Sequence, residues 1–178
     1  TNAVIFYVID VSGSMGDLEK SLARNTAFWA DAWIDRQYQG AEKCYIIHDA
    51  SAKVVDRETF FTTNESGGTV ISTAYQLAKE QMATRFPPDQ WNIYVFHFSD
   101  GDNSSKEDNM RAGELLRKDI IPFVNLFGYV EVGERAGSTG FIRYLDSEFG
   151  EAEGVVLTEM NDRTDIIPGI KELLGTGR

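Results

Sequence analysis

Seven consecutive apolar residues, Ala3-Val-Ile-Phe-Tyr-Val-Ile9, run directly into Asp10-Val-Ser-Gly-Ser-Met-Gly16. This junction constrains the fold more than any other feature of the chain. A short run that is apolar at every position and rich in β-branched and aromatic side chains reads as a strand buried on both faces. Such a strand needs a layer on each side of its sheet, and the remaining sequence supplies the layers. Leu18, Leu22, Thr26, Trp29 and Trp33 recur every three or four residues and predict the inward stripe of a helix ending near Gly40. Lys43–His48 reads as a second strand, and Lys53–Asp56 as a third. A connection so short permits only an antiparallel partner.

Beyond Phe60-Phe61, the loop Asn64-Glu-Ser-Gly-Gly-Thr69 leads into a helix with Ile71, Ala74, Tyr75, Ala78 and Met82 inward, stopped by Pro87-Pro88. Trp91–Phe98 is expected as a strand ending in Ser99-Asp-Gly-Asp-Asn103, Lys106–Lys118 as a helix and Ile120–Val132 as a long strand. Thr139–Phe149 is expected as a helix, Gly154–Thr158 as a short strand and Arg163–Leu174 as a closing helix. Strands alternating with helices predict an α/β fold, doubly wound, with a mostly parallel sheet covered on both faces. In such a sheet, ligands bind where strands end and strand order reverses. Three polar loops lie at that rim: 10–16, 64–69 and 99–103.

Charge removes several functions. The chain has 178 residues, with 17 Lys and Arg against 28 Asp and Glu, for a net charge of −11. Nucleic-acid phosphates and anionic membranes both require the opposite field, so neither is an expected partner. At 42% hydrophobic residues the chain can bury a core, which favours one domain over a disordered polymer. The single cysteine, Cys44, cannot form an internal disulfide; it fits a reducing compartment, and a cytoplasmic location is the expectation. Thr1 stands almost directly on a strand without an initiator Met, which reads as a domain taken from a longer protein.

Asp10, Ser12 and Ser14 alternate where the first strand turns, which places one carboxylate and two hydroxyls on one side of an extended turn. Thr69, exposed by Gly67-Gly68, adds a hydroxyl, and Asp100 a second carboxylate. An oxygen-only set suits a hard divalent ion such as Mg²⁺ or Ca²⁺, whereas zinc would call for Cys and His. The run Val8-Ile-Asp-Val-Ser-Gly-Ser-Met-Gly16 resembles the Asp-x-Ser-x-Ser signature of von Willebrand factor type A domains, with Gly68-Thr69 and Ser99-Asp100-Gly101 at the family's two later positions. The resemblance implies a metal-ion-dependent adhesion site made of Asp10, Ser12, Ser14, Thr69 and Asp100. It also implies a six-stranded sheet in the order 3-2-1-4-5-6. Ser12, Ser14 and Thr69 would touch Mg²⁺ directly (Mn²⁺ or Ca²⁺ being alternatives), and Asp10 and Asp100 would act largely through water. A partner's Asp or Glu would replace one metal-bound water.

More narrowly, Glu65-Ser-Gly-Gly-Thr69, Trp91-Asn-Ile-Tyr94 and Phe96-His-Phe-Ser-Asp-Gly-Asp-Asn103 resemble the bacterial YeaH/YhbH family, in which such a domain forms the C-terminal part. That likeness implies a stress- or sporulation-linked setting. Its implied partners are a serine kinase with an ATPase-like domain and a SpoVR-type protein.

The same residues admit competing readings. Asp10-x-Ser-x-Ser alone would serve as a helix cap. Ser12-Gly-Ser-Met-Gly16 approaches a nucleophile elbow, and Ser14 with His97 as base would make a serine hydrolase. Asp10 has no role in that enzyme and the elbow follows the wrong strand, so the chain is expected not to be an enzyme. A scaffold with a purely structural metal is a third reading. Asp102 is expected to form the Gly101-Asp-Asn turn. His97 is expected to be buried with a satisfied hydrogen bond, and His48, beside Asp49, to face a partner. Trp29 and Trp33 are expected to pack on the sheet, and Cys44 to be structural.

Overall fold

The computed structural model describes residues 2–137 and 140–175. The chain order is β1 (Asn2–Asp10), α1 (Asp17–Gln37), β2 (Glu42–His48), β3 (Ala52–Val55), α2 (Arg57–Thr62), α3 (Ile71–Thr84) and β4 (Trp91–Ser99), then α4 (Lys106–Leu115), β5 (Leu126–Val132), α5 (Gly140–Phe149), β6 (Val155–Met160) and α6 (Ile166–Gly175). The six strands form one sheet in the order β3-β2-β1-β4-β5-β6. All neighbours are parallel except β2 and β3. The expected fold class and strand order are therefore present. Thr139, the expected start of α5, lies outside the described residues.

Strand alternation builds two cores. Val4, Phe6 and Val8 pack with Tyr75 of α3, Ala112 of α4 and Phe141 of α5 on one face. Ile5, Tyr7 and Ile9 pack with Leu22 and Ala27 of α1, Phe60 of α2 and Leu173 of α6 on the other. Burial of the strand on both sides explains why it has no polar position between the exposed Asn2 and Asp10. Cys44 belongs to the first core, and burial pushes its thiol up to about 11. Met15, Met82 and Met160 are buried as well, whereas Met110 on α4 is 65% exposed.

Three departures have local causes. The inward face of α1 is Leu22, Ala23, Thr26, Ala27, Ala30 and Ile34, while Trp29 and Trp33 are 55% and 43% exposed. Small residues bring this helix close to a sheet already filled by Tyr7 and Phe96, which leaves the indoles outside. Residues 120–125 are not strand: a π turn at Leu116–Ile120 and a 3-10 turn at Ile121–Phe123 continue α4. Pro122 has no N–H for a ladder, and Asn125 closes the segment by accepting from Ile93 N–H at 2.9 Å. Finally, α2 is a helix that the residues around Phe60-Phe61 were not expected to form, capped by the Asp56 carboxylate accepting from Thr59 N–H at 2.7 Å.

The chain leaves β1 toward β2 and β3, then returns to β4 on β1's other side. Strand order thus reverses between β1 and β4. The crevice at their carboxyl ends lies beside Asp10 and Ser99.

Candidate metal centre

Asp10 ends β1 and is fully buried. Its Oδ1 accepts from Ser12 N–H at 2.9 Å, and its Oδ2 accepts from the Ser99 hydroxyl at 2.8 Å. Both donors are neutral, and among the described residues no Lys or Arg pairs with this carboxylate. Burying an anion without a cation is costly, so the arrangement leaves a charge to be balanced. Ser99 also accepts from Gly101 N–H at 3.0 Å, which ties the end of β4 into the same knot.

The three polar loops are stitched to one another. Gly13 N–H donates to the Gly67 carbonyl at 3.0 Å, and a Cβ on Gly13 would press on the Ser66 carbonyl at 3.3 Å. Ser104 N–H donates to the Thr69 carbonyl at 3.0 Å, and Asn103 Oδ1 accepts from Ile71 N–H at 3.1 Å. Asn103 is itself fixed by donating to Asp108 at 2.9 Å and Asn109 at 2.8 Å. These bonds bring Asp10, Ser12, Ser14, Thr69 and Asp100 to one rim. Ser12 and Thr69 are buried, the latter against the exposure expected from Gly67-Gly68, and Ser14 is exposed; the hydroxyls of Ser12 and Ser14 lie 3.2 Å apart.

Asp100 follows β4 directly. Burial pushes its carboxyl up to about 6; the Asp102 N–H and Ser14 hydroxyl bonds pull it down, and the charges of Asp10 and Asp102 push it up again. The Asp102 N–H reaches Asp100 Oδ1 at 3.0 Å across Gly101, whose φ of +76° requires glycine. This is the turn expected for residues 101–103, and the Asp102 side chain is exposed on it. A cleft of about 600 Å³ opens beside Ser14 and Asp100, bordered by Asn103, Lys106 and Glu134. Among the described residues, no three His, Cys, Asp or Glu side chains gather to hold an ion by themselves. Any ion at this rim would have to be held with the help of hydroxyls.

His48 does not face outward as expected. It is buried, in register with Asp10, and its Nε2 lies 2.9 Å from His97 Nε2. The period-2 geometry that sends Asp10 to the rim also places this ring inside the sheet layer. His97 is buried as expected, with its Nδ1 2.7 Å from the Tyr75 hydroxyl. Both its ring nitrogens are therefore engaged, which leaves neither for Ser14. Residues missed in the sequence are Ser99, which clamps Asp10, and Asn103, which joins two loops. Their presence in the polar cluster Ser99–Asn103 was the available signal.

Burial holds His97 well below its ordinary pKa, and the neighbouring His48 adds to this; Tyr75 and Tyr129 also face the ring. A lowered histidine pKa means that the unfolded chain binds protons first as pH falls below about 6.5. Stability should therefore fall with pH below 6.5, by about 1.4 kcal/mol per pH unit for this imidazole while it stays neutral in the fold. A lower urea midpoint at pH 5.5 than at pH 7.5, with His97 ring resonances unmoved, is the expected result. Early titration of the His97 ring in the folded protein would contradict it.

The element order and the strand order are those of a von Willebrand factor type A-like fold. Solved structures agree on the fold. BatB from Bacteroides thetaiotaomicron matches with a TM-score of 0.64 at 14% identity, over 99% of this chain and 98% of that one. The structure of the manganese-loaded Plasmodium vivax TRAP protein matches with a TM-score of 0.66 at 13% identity, over 97% and 73%. The chain belongs to the DUF444 family, described as a protein of unknown function, whose model matches residues 1–177. UPF0229 proteins of Sodalis glossinidius and Serratia proteamaculans are 35% and 36% identical to it over 173 residues. The chain spans 40% of the length of these relatives. Among the described residues no helix is long and apolar enough to cross a membrane.

Proposed function

We propose that this domain recognises an acidic side chain of a partner protein through a divalent ion held by Asp10, Ser12, Ser14, Thr69 and Asp100. The observation that carries the reading is the buried Asp10 carboxylate, held only by neutral donors and facing a rim of hydroxyls. The donor set fits Mg²⁺. Neighbouring ligands of an octahedral ion with bonds of ~2.1 Å lie about 3 Å apart, and the Ser12 and Ser14 hydroxyls are separated by 3.2 Å. Mn²⁺ and Ca²⁺ are alternatives, and the manganese named for the TRAP structure makes Mn²⁺ worth testing.

When bound, the ion supplies a positive charge with which a partner carboxylate can bond. The chain's residues do the rest. Neutral hydroxyls from Ser12, Ser14 and Thr69 leave that charge incompletely neutralised, and Ser99 and the Ser12 N–H hold Asp10 behind them. The hydrogen bonds joining the loops fix the donors before binding, which lowers the ordering cost. The domain works by binding and not by turnover. Its setting is the bacterial cytoplasm, and the YeaH/YhbH resemblance names a SpoVR-type protein and a serine kinase with an ATPase-like domain as partners.

The test uses the SpoVR-type protein and the kinase as probes in Mg²⁺ and in EDTA. At least one should be retained in Mg²⁺ and lost in EDTA at a temperature where the chain stays folded. Because the net charge of −11 repels an acidic partner, moderate salt should not weaken the contact. Equal retention in EDTA, with only the melting temperature lowered, would favour a structural ion.

A further inference from the structure

The exposed indoles of α1 belong to a second feature, separate from the metal rim. Trp29, Ala32, Trp33 and Arg36 line one side of a groove of about 510 Å³. On α6, Ile167, Ile170, Lys171 and Leu174 line the other. Each set has the spacing i, i+3, i+4, i+7, so each helix contributes a two-turn stripe ~10 Å long. Both helices follow parallel strands and pack on the same face of the sheet. The groove therefore has the shape into which a third helix packs.

Its contents are unusual for solvent. Trp29, Trp33 and Ile167, at 57% exposure, stand together, and Phe28 stacks edge-on against Trp29 with centroids 5.4 Å apart. Large apolar side chains gathered in this way mark an interaction site. The charge is as informative. On a chain of net charge −11, both ionic residues in the groove are basic, and neither Arg36 nor Lys171 has an ion-pair partner among the described residues. A second copy of the chain would bring the same two cations from each side into one symmetric contact, which like charges oppose.

We propose that this groove docks an amphipathic helix of a partner protein, with large apolar anchors over Trp29 and Trp33 and acidic residues beside Arg36 and Lys171. Recognition here needs no metal. It therefore stands or falls apart from the rim, and its salt response has the opposite sign, because complementary exposed charges are screened.

The probe is a synthetic amphipathic helix with Leu and Phe at i, i+3, i+4 and i+7 and Glu on both flanks. Its counterpart carries Lys for Glu. Trp91 lies against Phe86 in the opposite core, so a change in indole emission on binding reports on Trp29 and Trp33. The acidic peptide should shift that emission to the blue in EDTA and bind at least 10-fold more tightly than the basic one. Trp33→Ala should weaken it at least 10-fold, and Arg36→Glu with Lys171→Glu should invert the preference. Both substituted faces are exposed, and circular dichroism checks that each variant is folded. Equal binding of the two peptides, binding of neither at 1 mM, or a Trp33-dependent doubling of mass in sedimentation would overturn the proposal.

Discussion

Asp10→Ala should lower Mg²⁺ affinity by about 100-fold, an effect at the upper end for groups that orient metal ligands. The expectation rests on what the carboxylate does. It supplies negative charge at full burial and positions the Ser12 backbone, and through Ser99 it also binds β1 to β4. Alanine removes the charge and frees two donors at once. Asp10→Asn keeps an acceptor for one of those donors and should still lose most of the affinity, because attraction to a dication depends on charge. Isothermal titration with Mg²⁺ measures both variants. Asp102→Ala, on the exposed turn, serves as the control and should change affinity by less than about 3-fold, within the range of a screened surface charge. Unchanged Mg²⁺ binding in Asp10→Ala would remove the proposed centre.

The largest loss of stability is expected far from any loop. Asp31 is buried on α1 and accepts from the Tyr7 hydroxyl at 2.8 Å, while Lys43 and Arg57 each reach it at 2.8 Å. Burial, and then the charge of Asp31, hold the Tyr7 hydroxyl far above its ordinary pKa, so it stays a donor. Asp31→Ala leaves that buried donor without its acceptor and two cations without their common anion. Loss of one partner from a buried pair costs about 3–5 kcal/mol. The lower figure, about 3 kcal/mol, is expected here because Arg57 is half exposed and Lys43 keeps Asp35. Urea denaturation should show it, with Mg²⁺ affinity unchanged. A loss below about 1 kcal/mol would mean that the Tyr7 hydroxyl finds another partner.

The rim was legible because its information is local. Asp10, Ser12 and Ser14 alternate within one turn, and the run Ala3–Ile9 before them is apolar throughout. Alternation of strands and helices predicted a mostly parallel sheet, and the strand order came from the resemblance alone. What was not legible depended on partners distant in sequence. Trp29 and Trp33 fit a helical stripe as well as Ala27 and Ala30 do. Only the bulk of Tyr7 and Phe96 on the facing sheet decides that the small residues go inside. His48 pairs with a histidine 49 positions away, and no short window contains both. Ser99 stood in the sequence only as the strand end beside Asp100, whereas its hydroxyl reaches back 89 positions to Asp10. At residues 120–125 the error was different: a run of apolar residues outweighed Pro122, which alone argued against a ladder.

The burial of Cys44 bears on how the domain meets oxidants. A thiol that is 1% exposed and whose pKa is pushed up to about 11 presents almost no thiolate, so peroxide and disulfide exchange find no nucleophile there. Three of the methionines are sealed in the cores as well. That leaves Met110, on the outer side of α4, as the sulfur that an oxidant reaches first. A sulfoxide at that position adds polarity where water already is, so oxidative damage would be absorbed at the surface and spare both cores.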